Sequence, residues 1–145
     1  KNITFFTKKS KKEIQAILHD MGLVDFINSF QNGLDYQIGE GGAFLSMGQK
    51  QLISLIRTYI SFSPIIIFDE ATSSLDSETE NLIKKSIRAL LKNKTAIIIA
   101  HRLSTIKNAD KIIFLKDGKI FESGTHSELI NLKGSYWRYY TTQLI

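Results

Sequence analysis

The stretch PIIIFDEATSSLDSETENLIKKSIRALLKNKTAIIIAH, residues 64–101, decides the fold. It opens with a continuously apolar run rich in β-branched residues, Ile65 to Phe68, which reads as a strand buried on both faces. Asp76 or Ser77 can then cap a helix that extends to about Lys92. Thr95 to Ile99 is a second apolar run of the same kind. Strand, helix and strand in this order make a β-α-β unit, with parallel strands and a right-handed crossover. The chain is therefore expected to be α/β.

Toward the N-terminus the pattern becomes helical. Ser10 and Glu13 have capping-box spacing, Ile14, Ile17 and Leu18 share one helix face, and Gly22 can end that helix. A short helix from about Val24 to Phe30 follows, then turn residues Asn32, Gly33, Gly39, Gly41 and Gly42. From Ser46 to Ser61, Leu52, Ile53, Leu55, Ile56, Tyr59 and Ile60 recur at helical spacing, and Pro64, the only proline, stops the run. Toward the C-terminus, KIIFLKDGKIFESG reads as a hairpin turning at Asp117–Gly118. Two helices are expected beyond it, His126 to Leu132 and about Tyr136 to Leu144. A boundary near residue 62 then separates an α-helical part, 1–62, from an α/β part, 63–145.

Composition narrows the function classes. An apolar content of 43% supports a packed core and argues against disorder. No apolar run approaches the length of about 18 residues that suggests a membrane span, and KNITFFTKKSKK lacks the form of a signal peptide. Cysteine is absent, which excludes disulfides and thiolate metal sites. The net charge of +5 is largely local, with Lys1, Lys8, Lys9, Lys11 and Lys12 near the start. It reads as a solvated face, a nucleic-acid patch having no aromatic interleaving to support it.

Four stretches could carry chemistry. Asp69 and Glu70 end an apolar strand, where open α/β sheets bind ligands; they could serve a hydrated Mg²⁺ and an attacking water, or merely lead into a helix cap. Ser73, Ser74 and Asp76 form a polar loop that either caps the next helix or belongs to an interface. His101 directly follows the second strand, and there a histidine can donate to a phosphate oxygen or be an ordinary loop residue. His19 and His126 are assigned to surface helix positions. Upstream, LSMGQKQ (45–51) puts Ser46 and Gly48 at the mouth of a helix, where a hydroxyl and a bare backbone N–H can meet an anion.

Taken together and in order, these motifs resemble the nucleotide-binding domain of ATP-binding cassette (ABC) transporters. LSMGQ resembles the family signature, IIIFDE the Walker B strand with its catalytic glutamate, SSLD the D-loop and AHRLSTI the switch histidine. GEGGAF and DGKIFESGTHSELI resemble the loop before the signature and the C-terminal hairpin and helix, most like lipid, peptide or multidrug exporters. The resemblance implies the C-terminal part of a P-loop NTPase fold: a helical subdomain, then a parallel-sheet half core with a C-terminal β-hairpin and helices. It implies that Asp69 acts on Mg²⁺ through water, that Glu70 and His101 are catalytic, and that Ser46, Gly48 and Gln49 bind ATP held by the opposite subunit. Ser74 and Asp76 would lie at the dimer interface. Implied partners are a second nucleotide-binding domain, in a homo- or heterodimer, a transmembrane domain and the N-terminal half of the same cassette, at the cytoplasmic face of a membrane; no nucleic acid is expected. A non-transport cassette ATPase acting on nucleic acid or ribosomes is the alternative, as is a non-catalytic interaction module.

The phosphate cradle G-x-x-x-x-G-K-[ST] is absent: the one Gly-Lys pair, Gly118–Lys119, lies in the hairpin, and the first glycine's position holds Ile113. The resemblance places that loop upstream of Lys1, so the chain alone is expected to bind ATP weakly and hydrolyse none. Met47 stands where the signature has its first glycine, and the stretch LSMGQ is expected to be half of a phosphate site rather than a cap.

Overall fold

The computed structural model describes residues 9–61, 63–69, 76–100 and 106–142. The chain divides into two compact units, Lys1–Ile67 with Ala71–Ile97 and Phe68–Glu70 with Ile98–Ile145.

Among the described residues the first unit holds four α-helices, three of which pack on one another. α1 (Lys11–Met21) starts at Ser10 with the expected capping box and ends at Gly22, whose φ of 68° suits a residue without Cβ. α2 (Val24–Asn28) and two 3₁₀ turns, Gly33–Asp35 and Glu40–Gly42, lead to α3 (Met47–Ile60). α4 (Ser77–Leu91) packs along α3, and α1 leans on both. The apolar stripes read from the sequence meet here: Ile14, Leu18 and Met21 from α1, Leu52 and Ile56 from α3, and Ile83 and Leu90 from α4 are all buried. Each such side chain contributes about 1.5–3 kcal/mol when removed from water. Ser86 is fully buried on α4 and aims its hydroxyl at the Met21 carbonyl at 3.5 Å.

β1 (Ile65–Asp69) and β2 (Thr95–Ile99) are hydrogen-bonded neighbours in a parallel pair joined through α4. One expectation fails. The two strands are not buried on both faces: Ile66 is buried, but Ile65, Ile67, Ile97 and Ile99 are each at least half exposed. Alternate residues of a strand point to opposite faces, and among the described residues only one face is covered. An unbroken apolar run announces two buried faces but not what covers each one.

In the second unit β3 (Ile112–Lys116) and β4 (Lys119–Gly124) form the expected antiparallel hairpin, turning through Asp117 and Gly118 at φ 50° and 72°. These positive φ values at both central residues belong to the turn type that matches strand twist. α5 (His126–Leu132) and α6 (Ser135–Thr142) follow. Ile112, Leu129 and Tyr136 form the core, with Ile106, Phe114 and Ile130 against it. Glu122 on β4 accepts hydrogen bonds from the backbone N–H groups of Ser135 and Tyr136, fastening the start of α6 to the hairpin. His126 is not the idle surface residue expected of it: its Nδ1 lies 2.8 Å from the Tyr136 hydroxyl and its ring packs against Tyr140. No helix among the described residues is long and apolar enough to cross a membrane.

Candidate functional site

The residues singled out by sequence fall into three local arrangements. The first is the start of α3. Ser46 sits just outside the helix in extended backbone (φ −64°, ψ 165°). Its Oγ accepts the Gln49 N–H at 3.2 Å, and its own N–H donates to Gln49 Oε1 at 2.9 Å. The stretch is therefore a helix cap after all, and the expectation that excluded a cap is corrected. The two roles do not compete: the serine oxygen accepts from the helix, and its hydroxyl proton stays available to an outside acceptor. The first N–H groups of any α-helix have no partner within it. Here the Met47 and Gly48 N–H groups have no acceptor among the described residues. A hydroxyl, two backbone donors and the positive end of a 14-residue helix thus stand together, a set suited to an anion.

Met47 is the first residue of α3 and is absent from the residues with positive φ. A side chain there meets no backbone penalty and projects into solvent, 67% exposed. Its replacement of the signature glycine therefore imposes no strain.

The second arrangement is Asp69, exposed at the C-terminal end of β1. The third is Asp76, the cap of α4, whose Oδ1 accepts from the Thr79 N–H at 2.8 Å. That backbone bond, with a further one from the Thr79 side chain, holds its carboxyl below the usual range. Glu70, Ser74 and His101 lie outside the described residues, as does Ser73.

The caps differ in chemistry, which gives a pH prediction. Glu13, Glu128 and Asp76 have lowered pKa values because backbone N–H groups donate to their carboxylates. A lowered folded-state value contributes stability that is present above the unfolded pKa and lost as pH falls through the folded one. Below the ordinary carboxylate range, α1, α4 and α5 should fray at their starts. The Ser46–Gln49 cap carries no ionisable group, so α3 should keep its start. Amide exchange at Ser10, Thr79 and Thr125, whose N–H groups donate to those carboxylates, should accelerate with acid relative to Ser46, whose N–H donates to the Gln49 amide oxygen; equal acceleration would refute the assignment.

Comparison with known proteins follows the same residues. A family model described as ABC transporter matches residues 1–73. An ATP-dependent lipid A-core flippase of Desulfotalea psychrophila (strain LSv54 / DSM 12343) is 46% identical over 92% of this chain and 23% of its own length. Flippases of the same name from Blochmanniella floridana and Escherichia coli (strain K12) are 48% and 47% identical, over 96% and 88% of this chain and 23% and 22% of their own lengths. The solved structure of a bacterial Atm1-family ABC exporter with ATP bound superposes with a TM-score of 0.84 at 38% identity, covering 99% of this chain and 25% of that one. The chain thus spans about a quarter of the length of the proteins it matches.

Proposed function

Because the chain belongs to the ABC transporter family, we propose that it is the C-terminal part of the ATP-binding and ATP-hydrolysing domain of an exporter, coupling nucleotide turnover in a two-subunit sandwich to movement of cargo across a membrane. The observation that carries this reading is the start of α3, where Ser46 and Gly48 present a hydroxyl and a bare N–H at a helix N-terminus. Relatives named lipid A-core flippases and a neighbour named an exporter favour export over work on nucleic acid or ribosomes and over a non-catalytic module. Their names also favour an amphipathic lipid as cargo.

In this reading the Ser46 hydroxyl and the Gly48 N–H donate to the γ-phosphate of ATP held by the opposite subunit. Glu70 polarises the water that attacks the γ-phosphorus, and His101 donates to a γ-phosphate oxygen as the bond to ADP breaks. Ser74 and Asp76 line the contact between subunits. An exposed carboxylate at a strand end suits Mg²⁺ held through water, and Asp69 is so placed. Bound there, the ion would neutralise charge on the phosphate oxygens. The N-terminal half of the cassette supplies the phosphate loop, and a transmembrane partner places the assembly at the cytoplasmic face.

The test is ATP hydrolysis by the full-length transporter. Glu70→Gln should lower the rate by at least about 100-fold, the effect of losing a positioned general base. The 145 residues alone, without a phosphate loop, should turn over none. Full activity in Glu70→Gln would sink the reading.

A further inference from the structure

The C-terminal half of α4 carries its cations on one side. Lys85, Arg88 and Lys92 are all exposed and stand three and four residues apart, the spacing of neighbours on a helix surface. The steps along the axis are about 4.5 Å and about 6 Å. None of the three pairs with a carboxylate among the described residues, whereas Lys84 is engaged with Glu80 at 2.8 Å. Like charges at these spacings destabilise a helix. The helix dipole offsets this for Arg88 in the last turn and for Lys92 at the end, but not for Lys85 in mid-helix. The opposite side of α4 is already committed: Ile83, Ser86 and Leu90 are buried where the helix meets α1 and α3.

We propose that the Lys85–Arg88–Lys92 stripe is a docking surface for an acidic peptide segment of a partner protein, its carboxylates set against the three cations. The charge calls for an anion, and the surroundings select which one. α4 exposes no large apolar residue, and its apolar side is spent on α1 and α3, so it lacks the face with which a helix lies in a bilayer surface. It also has no aromatic residue on which a base could stack. Carboxylates on a second helix at the same three- and four-residue spacing can meet all three cations with neither partner bending. Toward the helix start the stripe continues as Asn81 and Glu78, which confines the acidic segment to the C-terminal half. The docking does not depend on the ATP site.

The test uses the full-length transporter in phosphatidylcholine nanodiscs and a fluorescent helical alanine peptide bearing glutamate at three- and four-residue spacing. Fluorescence anisotropy should show binding that weakens as salt rises. Lys85→Gln, Arg88→Gln and Lys92→Gln combined should weaken it at least about tenfold, the loss of three exposed ion pairs together. ATP hydrolysis should stay at the parental rate in that variant, which shows that the fold is kept. Lys85→Glu, Arg88→Glu and Lys92→Glu combined should abolish binding of the glutamate peptide and confer binding of the same peptide with lysine in place of glutamate, a gain that misfolding cannot produce. No binding by the parent, undiminished binding in the glutamine variant, or no gain in the reversed one would overturn the proposal. Displacement of the peptide by a DNA duplex or by phosphatidylserine vesicles at a lower charge concentration than unlabelled peptide requires would also overturn it, giving the stripe to nucleic acid or to lipid.

Discussion

Tyr136→Ala should destabilise the second unit by about 3–5 kcal/mol, the range for removing a large buried aromatic. Tyr136 is 1% exposed and packs with Ile112 and Leu129 at the unit's centre. Its hydroxyl is also engaged, bonded to His126 Nδ1, and burial pushes its pKa up. Truncation therefore opens a cavity and strands the histidine nitrogen together. Tyr136→Phe separates the two effects: it keeps the ring and loses the bond, and should cost about 0.5–1.5 kcal/mol. Urea unfolding followed by Trp137 fluorescence reads both, since that residue adjoins Tyr136 on α6. A Tyr136→Ala loss no larger than the Tyr136→Phe loss would show that the site collapses without a cavity.

Ile56→Ala should remove about 2–5 kcal/mol from the first unit. Ile56 is 0% exposed on α3, the helix that packs along α4 and against α1, so it lies where three stripes converge. The size depends on how far the neighbours relax into the space, and a helix held on two sides relaxes little. Chemical denaturation monitored by helical circular dichroism measures it. A loss below about 1 kcal/mol would mean that the packed interface closes over the deletion.

Much of the fold was legible because its signals are local. Ser10 with Glu13, Gly22, Asp76 and the Asp117–Gly118 turn act within a few residues of themselves and stand where the pattern placed them. The one-sided burial of β1 and β2 was not legible, since Ile65 and Ile66 are the same residue type with opposite fates. Nor was the Glu122 cap of α6, whose donors lie 13 and 14 residues away, or the His126–Tyr136 bond, which needs two helices brought together. At the candidate site, the Ser46–Gln49 cap obeys the same spacing rule as Ser10–Glu13 and could have been read from it. Reading the stretch as anion site or cap, rather than both, hid it.

The reciprocal caps also bear on the order of folding. Each closes between residues three apart, so it can form on the sub-microsecond scale of helix–coil relaxation. The β1–β2 pairing must instead wait for the connection from 70 to 94 to collapse around α4. The start of α3, with its serine and bare amides, is thereby shaped early and by its own neighbours. Its geometry should survive in partly folded chains that have not yet joined their strands.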